Sequence, residues 1–291
     1  MIERVIIVGA GAVGGAVAGL LDAAKVPVLL VARGAHLAAI RDNGLRLRRP
    51  SGEVLLRSPV TDRPEWRSGD VALLCVKSQD TAAALAGIPE TTPVVCAQNG
   101  VENEALAART HATVLGMMVG VHAVHLVPGQ VDLHDDRCPG VLDLGTICGD
   151  PSIGPDLARM LERAGFASLD LPDIAAWKRA KLVSNLPGIL PISVRHFDRD
   201  LAKAVTAEGE EVMRSAGLPY TPLDQFWERM AIVGHAPING VERPGSSLWQ
   251  SKTRGSGSEV EFLNGFVERL GSDIGVPTPV NSRLLRLARG D

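Results

Sequence analysis

A glycine-rich turn near the N-terminus constrains the fold of this chain more than any other sequence feature. Residues 9–14 read Gly-Ala-Gly-Ala-Val-Gly, and they follow the apolar run Val5–Val8 and precede a stretch of small residues, 13–24, that is typical of a helix. This order of strand, turn and helix is the context in which G-x-G-x-x-G binds the pyrophosphate of a dinucleotide. The sequence therefore predicts a phosphate-binding turn here.

Each position of the turn has a physical role in that interpretation. Gly9 permits the tight turn, Gly11 lets the backbone approach the pyrophosphate, and Gly14 lets helix and strand pack closely. Ala12 and Val13 open the helix, where unpaired N–H groups attract phosphate. We expect these five residues to bind the cofactor. The alternative is a glycine-rich turn that binds no ligand.

The rest of the first half alternates apolar runs with helix-like stretches, which is typical of a parallel sheet built from βαβ units. Further strands are predicted at 26–32, 71–76 and 93–97, helices at 37–43, 79–86 and 155–165, a hairpin around 45–56, and β-rich segments over 113–148. This pattern predicts an α/β fold whose N-terminal domain is a Rossmann-type dinucleotide-binding domain.

The character of the sequence changes near Leu171-Pro172, after which helical periodicity dominates. We place the domain boundary at about 168–172, which gives a Rossmann domain over 1–170 and an all-helical substrate and catalytic domain over 171–291. The longest predicted loop is the Pro-, Gly- and Ser-rich segment 237–258, and long loops in compact domains are usually functional or disordered.

Composition excludes several classes of function. The 291 residues suffice for two domains, with 45% hydrophobic and 22% charged residues and a net charge of −3. The absence of any block of like charges argues against nucleic acid or an anionic membrane as partner. No apolar run approaches the about 20 residues needed to span a bilayer, and the N-terminus lacks a signal-peptide pattern. We expect a cytoplasmic protein, and a homodimer is considered.

The four cysteines, at positions 75, 96, 138 and 148, are widely spaced and form no CxxC pair. We interpret them as small buried hydrophobic residues in a reducing compartment, rather than as disulfides or metal ligands.

Arg33 indicates which nicotinamide cofactor binds. The second strand ends in Val31-Ala32-Arg33-Gly34, and no carboxylate follows until Asp42. An acidic residue at this point binds the ribose 2′-hydroxyl of NAD, whereas an arginine accommodates the 2′-phosphate of NADP. We therefore favour NADPH over NADH. The alternative is that Arg33 is one exposed arginine among many.

Two familiar catalytic or metal-binding patterns do not fit. The only tyrosine, Tyr220, is followed four residues later by Asp224, so Tyr-x-x-x-Lys is missing. His122 and His125 form HxxH in a β-like stretch without a glutamate or a fixed third ligand, and we interpret them as ordinary histidines and expect no metal.

Lys181 and Asn185 form the best candidate for chemistry. They are four residues apart on a predicted helix and so share a face. Apolar neighbours of Lys181 favour partial burial, which would lower the pKa of its amine toward the working range of an acid–base group. The alternative is a solvated lysine beside a structural asparagine ahead of Pro187.

A second candidate lies near the C-terminus. Ser258 and Glu261 match a capping box, which puts Glu259 in the first turn of a helix, where the dipole stabilises a carboxylate. Upstream, Ser246 and Ser247 lie in the long loop and could donate hydrogen bonds to a ligand carboxylate or be plain loop serines.

Taken together, the sequence resembles the ketopantoate reductase (2-dehydropantoate 2-reductase) family nearly from end to end. The matching segments are 9–14, 31–37, 43–45, 76–79, 98–104, 181–185, 246–247, 259–265 and 275–281. Their order and spacing make the resemblance specific, although each segment is short.

The resemblance implies roles for the candidate residues. Arg33 would bind the 2′-phosphate, and Lys77 and Asn99 would line the site for nicotinamide and substrate. NADPH would deliver hydride to the C2 ketone of a 2-oxo acid, and Lys181 would act as general acid. The resemblance further implies that Asn185, Ser247 and Glu259 bind or orient the substrate, Glu259 being counted with Lys181 in the catalytic set.

Two positions depart from the family pattern. The stretch after Asn185 reads Leu-Pro-Gly-Ile over 186–189, without the further asparagine common there, and residues 243–245 read Arg-Pro-Gly, without the asparagine usual before the paired serines. Three hypotheses therefore remain: a ketopantoate reductase of pantothenate biosynthesis, a paralogue that reduces another branched or bulky 2-oxo acid, and an NADP(H)-binding protein without turnover.

Overall fold

Two β-sheets occupy the first half of the chain in this computed structural model, which describes residues 1–246, 248–250 and 259–290. In chain order, the strands are β1 (Arg4–Val8), β2 (Val28–Val31), β3 (Leu45–Arg49), β4 (Gly52–Leu56), β5 (Val60–Thr61), β6 (Asp70–Leu74), β7 (Val94–Cys96), β8 (Val114–Gly120), β9 (Ala123–Val124), β10 (Gln130–Leu133) and β11 (Val141–Cys148).

The larger sheet has the order β11-β8-β7-β6-β1-β2-β5 and is parallel except for β11 against β8. Strands β1, β2 and β6 are near-continuous apolar runs, and such runs belong in parallel sheets that are covered on both faces. In this sheet, β2 and β5 lie on one side of β1, whereas β6, β7, β8 and β11 lie on its other side. The boundary between β1 and β6 is therefore the point where the strand order reverses, at whose carboxyl edge open α/β sheets bind ligands.

The smaller sheet has the order β4-β3-β10-β9. Strands β3 and β4 form the predicted hairpin, paired from Leu45↔Leu56 to Arg49↔Gly52. The turn of this hairpin needs a glycine, because Gly52 has a φ of +132°.

The helices, in chain order, are α1 (Ala12–Ala23), α2 (Gly34–Asn43), α3 (Thr81–Leu85), α4 (Asn103–Ala107), α5 (Ile153–Arg163), α6 (Ile174–Asn185), α7 (Leu190–Ser193), α8 (Arg199–Ser215), α9 (Leu223–Met230), α10 (Asn264–Ile274) and α11 (Pro279–Arg289). Short 3₁₀-helices cover Ser78–Asp80, Leu186–Ile189 and Glu259–Phe262.

Helix α1 shows why the small-residue stretch after the glycine-rich turn matters. Eight of its twelve residues are buried. A Cβ on Gly15 would lie 2.7 Å from the Val131 side chain of β10, so only glycine lets the helix approach the smaller sheet this closely. The composition of α1 therefore determines how the layers of this half pack.

The second half is helical, with a separate core. Its buried members come mostly from α6, α8, α10 and α11, and they include Leu182, Val212, Val267 and Leu285. The predicted fold class, a Rossmann-type domain followed by an all-helical one, is confirmed. None of the described helices has the length and apolar character that crossing a bilayer would require.

The chain forms two compact units that are not contiguous in sequence. The first unit comprises Met1–Gln98, Asn103–Ile174 and Glu228–Arg243, and the second comprises Asn99–Glu102, Ala175–Trp227 and Pro244–Asp291. The division predicted at 170/171 lies close to the main change of unit at 174/175. The predicted division does not include the two short segments 99–102 and 228–243, each of which packs with the unit formed by the other half of the chain. Neither segment has a composition that would have indicated this.

Candidate active site

The glycine-rich turn has the geometry that its sequence predicts. Gly9 has a φ of +108°, and a Cβ there would lie 2.9 Å from the backbone of Cys75. A Cβ on Gly14 would lie 2.0 Å from the carbonyl oxygen of Gly9. Both positions therefore exclude any side chain. They bring the start of α1 directly onto the end of β1.

Gly11 is different, because a Cβ built on it meets no atom within 4 Å. The space above the N-terminus of α1 is thus open at the glycine whose role is to let phosphate approach. The first turn of α1 holds no acidic side chain, and Gly11 at the N-cap supplies no side-chain cap. The backbone N–H groups and the positive end of the helix dipole fit a pyrophosphate group there.

Arg33 and Lys77 lie at the same edge of the larger sheet as the glycine-rich turn. Arg33 follows β2 as the N-cap of α2 and is exposed, and Lys77 follows β6 and is half-buried. Because β1, β2 and β6 are parallel neighbours, their carboxyl ends share an edge. The first unit therefore brings together the glycine-rich turn, the exposed Arg33 and a lysine near the point where the strand order reverses.

A buried polar network braces the segments that follow β6 and β7. The Thr81 hydroxyl donates to Asn103 Oδ1 at 2.8 Å and accepts from Gln98 Nε2 at 2.9 Å. Asn103 Nδ2 donates to the Ser78 hydroxyl at 3.3 Å. All four residues are at most 5% exposed. None of these four residues was expected to form a network. Their sequence shows only that they are polar and follow buried strands.

Lys181 lies in the second unit, on α6, and is half-buried. Its Nζ atom is 5.8 Å from the centroid of the fully buried Phe226 ring. The face of an aromatic ring attracts a cation, so this contact is a cation–π interaction. The aromatic neighbour was not foreseen, because Phe226 is 45 residues away along the chain.

Asn185 lies one turn after Lys181 and contacts Asn99. Its Nδ2 atom donates a hydrogen bond to Asn99 Oδ1 at 3.3 Å. Asn99 was expected to belong to the dinucleotide-binding domain, but the segment Asn99–Glu102 packs with the second unit. The second unit thus brings together three of the expected residues: the amine of Lys181 and the amides of Asn185 and Asn99.

Glu259 is 2% exposed and lies in the short helical turn Glu259–Phe262. The capping-box prediction started a helix here, but the regular helix α10 starts only at Asn264, after Leu263 with φ −113° and ψ −90°. Val260 and Leu263, which precede α10, both belong to the core of the second unit. Ser247 and Ser258 lie outside the described residues.

Two other ionisable residues of the second unit show what the sequence pattern missed. Lys178, one turn before Lys181, is only 4% exposed and is therefore more deeply buried than the predicted acid. Tyr220 donates to Glu210 Oε1 at 3.2 Å, and burial, with the charge of Glu210, raises the pKa of Tyr220. A phenol held protonated in this way is a poor proton shuttle.

The histidines of HxxH face different partners. His122 has its ring 5.6 Å from that of His235, whereas His125 packs 4.1 Å from His36. Within the described part of the chain, no three His, Cys, Asp or Glu side chains are placed to hold a metal ion. None of the four cysteines forms a disulfide; Cys96 is fully buried and the others are half-buried.

Comparison with known proteins places this geometry in one family. The family model "Ketopantoate reductase PanE/ApbA" matches residues 5–147, and the model of its C-terminal part matches residues 193–290. A protein named 2-dehydropantoate 2-reductase from Archaeoglobus fulgidus is 32% identical over 305 residues, which cover 99% of this chain and 98% of the relative.

Solved structures agree on the fold. A PanE/ApbA family ketopantoate reductase from Ralstonia eutropha superposes with a TM-score of 0.81 at 29% identity, over 98% of this chain and 97% of the other. A ternary structure of D-mandelate dehydrogenase with NADH and anilino(oxo)acetate superposes with a TM-score of 0.83, over 99% of this chain and 97% of the other. At 20% identity, the second similarity shows a shared fold alone.

Proposed function

Because the chain belongs to the ketopantoate reductase family, we propose that it reduces a 2-oxo acid to a 2-hydroxy acid with NADPH. 2-Dehydropantoate is the first candidate substrate, and pantothenate biosynthesis is the corresponding pathway. The observation that carries this proposal is the family match along both units, in a chain that keeps the open glycine-rich turn and the Lys181 helix.

The cofactor, when bound, supplies the hydride for C2 of the substrate. The chain's own part is to hold it. Gly9, Gly11, Ala12, Val13 and Gly14 would receive the pyrophosphate at the start of α1. Arg33 would meet the 2′-phosphate, where an aspartate would repel it. Lys77, half-buried after β6, would approach the nicotinamide end.

Lys181 would protonate the substrate oxygen as negative charge develops on it. A half-buried ammonium beside that oxygen stabilises charge present only in the transition state, which lowers the barrier without tightening ground-state binding. The amine lies 5.8 Å from the centroid of the Phe226 ring, whose face attracts its positive charge. Asn185, held by Asn99, would orient the amine or the substrate.

Glu259 and Ser247 would bind the polar groups of the substrate. A carboxylate as buried as Glu259 needs hydrogen-bond donors around it, and a substrate hydroxyl is one such donor. Ser247 enters this scheme on sequence resemblance alone. A small 2-oxo acid is the partner proposed, and the cytoplasm is the compartment proposed for this reaction.

A second candidate is the reduction of a bulkier or more apolar 2-oxo acid. One turn after Asn185 stands Ile189, which is fully buried in the core of the second unit. No amide at that position is available to a substrate hydroxyl, so an apolar substrate side chain would lose less by binding here.

The test is a substrate panel with the purified full-length chain. Loss of NADPH absorbance is followed with 2-dehydropantoate and with 2-oxo acids that carry branched, aromatic or acidic side chains, and each reaction is repeated with NADH. Highest kcat/KM for 2-dehydropantoate supports the first candidate, and highest kcat/KM for another acid supports the second. NADPH binding without turnover of any acid would contradict both and indicate a non-catalytic protein.

A further inference from the structure

We propose that His36 is a positioning residue for the phosphate-binding turn: its neutral ring holds the carbonyl of Ala10 and thereby sets the peptide that leads into Gly11. The inference rests on the proposed dinucleotide binding, but it holds for either nicotinamide cofactor, because both contain the pyrophosphate.

Two backbone contacts determine the protonation of His36. Its Nε2 atom lies 2.7 Å from the Ala10 carbonyl oxygen, which can only accept a hydrogen bond. Its Nδ1 atom lies 2.9 Å from the backbone nitrogen of Gly129, which can only donate. Nδ1 must therefore be unprotonated and Nε2 must carry the hydrogen, so the ring is a neutral Nε2–H tautomer.

The bond to Ala10 controls more than one oxygen. Ala10 and Gly11 share a trans peptide, in which the C=O and N–H groups point in opposite directions. Holding the Ala10 oxygen therefore directs the Gly11 N–H away from His36. Gly11 is also the position that opens onto empty space. Ala10 is 4% exposed, so water could not easily replace the ring as partner of its carbonyl.

The ring itself is held from two other sides. Gly129 belongs to the turn before β10, and a Cβ on it would lie 3.0 Å from the Cβ of Ala39 in α2, so this turn packs closely on the helix that carries His36. The His125 ring lies 4.1 Å from the His36 ring between centroids. His36 thus links the glycine-rich turn, α2 and the smaller sheet within the first unit.

Two substitutions separate hydrogen bonding from packing. His36→Phe keeps an aromatic ring beside His125 but removes both nitrogens, and we expect the Kd for NADPH to rise about three- to tenfold, the effect of one lost hydrogen bond. His36→Gln restores a donor and an acceptor on neighbouring atoms, and we expect it to recover most of the affinity. His196→Phe is the matched control, because His196 is exposed and its ring contacts a backbone oxygen two residues away, outside the glycine-rich turn.

The measurement is titration of each full-length variant with NADPH and with adenosine 2′-phosphate, together with thermal unfolding without ligand. Adenosine 2′-phosphate lacks the pyrophosphate, so a defect confined to the glycine-rich turn weakens NADPH and leaves the fragment's Kd unchanged. A generally loosened fold would weaken both ligands equally.

The outcomes distinguish this inference from the proposed function. Weaker NADPH binding by His36→Phe, rescue by His36→Gln and an unchanged fragment Kd would support it. Equal NADPH affinity in His36→Phe and wild type, or equal loss for both ligands, would overturn it while leaving the reductase proposal intact. A wild-type chain that bound neither NADPH nor NADH would contradict the reductase proposal itself.

Discussion

Arg33 and Lys181 are the two single residues on which the proposed chemistry most depends. Arg33 is exposed at the end of β2, so it can be changed without disturbing a core. Lys181 is half-buried on α6, and its proposed role concerns proton transfer rather than cofactor affinity. Each residue therefore predicts a different kinetic signature.

Arg33→Asp should weaken NADPH binding by about ten- to a hundredfold, because it removes charge-assisted hydrogen bonds to the 2′-phosphate and adds a like charge. NADH binding should change much less. Kd values for both cofactors check this. Arg41→Asp, on the same helix and with a side chain 52% exposed, is the control. Equal losses for the two cofactors would remove the case for NADPH.

Lys181→Ala should lower kcat by about a hundred- to ten thousandfold, the usual worth of a general acid, with the Kd for NADPH near the wild-type value. Steady-state kinetics and cofactor titration measure the two effects separately. Lys203→Ala, an exposed lysine on α8 of the same unit, should behave as wild type. Full activity of Lys181→Ala would eliminate the proposed acid.

At the scale of elements, helix α11 begins on a carboxylate supplied by α8. Glu208 accepts from the backbone nitrogens of Val280 and Asn281, each at 2.8 Å, and from Asn281 Nδ2 at 2.8 Å. The buried Asn281 in turn accepts from Asn264 Nδ2 at 2.9 Å. A carboxylate satisfies the open N–H groups of a helix start and complements its dipole, so this network joins α8, α10 and α11.

Glu208→Ala should therefore lower the free energy of unfolding by about 1–3 kcal/mol, since it leaves buried N–H donors without a partner. Chemical denaturation followed by circular dichroism measures the loss. Glu211→Ala, three residues further along α8, is the control, because that side chain is 50% exposed and contacts Arg214 and Ser215 of its own helix. Similar losses for the two variants would show that the cap is not the source of stability.

Elements with strong local signals were predictable from sequence. The strand β1, the helix α1 and the β3–β4 hairpin follow from apolar runs, small residues and a turn glycine, and the structure confirms all three. The start of α10 was not predictable, because nothing in the local capping pattern signals the non-helical backbone of Leu263 that precedes it. Local signals thus determine the centres of elements, and packing determines their ends.

At the scale of the whole molecule, each unit contains a short segment from the other half of the sequence. The segment Glu228–Arg243 is attached to the first unit by a two-pronged ion pair. Arg229 Nε donates to Asp143 Oδ2 at 2.8 Å and Arg229 Nη2 to Oδ1 at 2.6 Å. The Asp143 side chain is fully buried and also accepts from the backbone nitrogen of Leu169.

Arg229→Met should destabilise the protein by about 3–5 kcal/mol, because it leaves the buried Asp143 charge without its partner. The double substitution Arg229→Met with Asp143→Leu should lose less than the single one, since no unpaired charge remains. Urea denaturation of both variants provides the measurement. Arg214→Met removes an exposed pair and should have little effect. A double variant less stable than Arg229→Met would contradict this explanation.

Only those parts of the candidate site whose residues lie close together in the sequence were predictable. The glycine-rich turn and Arg33 carry their signals within a few residues of one strand. The bond between Asn185 and Asn99 joins positions 86 apart, and the contact of Lys181 with Phe226 depends on how α9 packs. Such pairs follow from the tertiary fold and have no signature in either segment.

The interleaving of the two units also affects how the chain folds during its synthesis on the ribosome. Domains generally fold as they emerge, N-terminal end first, yet the first unit is incomplete until Arg243 has been made, about seventy residues after its main segment ends at Ile174. The nascent first unit therefore holds the Asp143 carboxylate without its partner until Arg229 has been made, when nearly half of the helical half has been translated. A fusion of residues 1–174 to an unrelated protein should therefore give insoluble product unless residues 228–243 are also included.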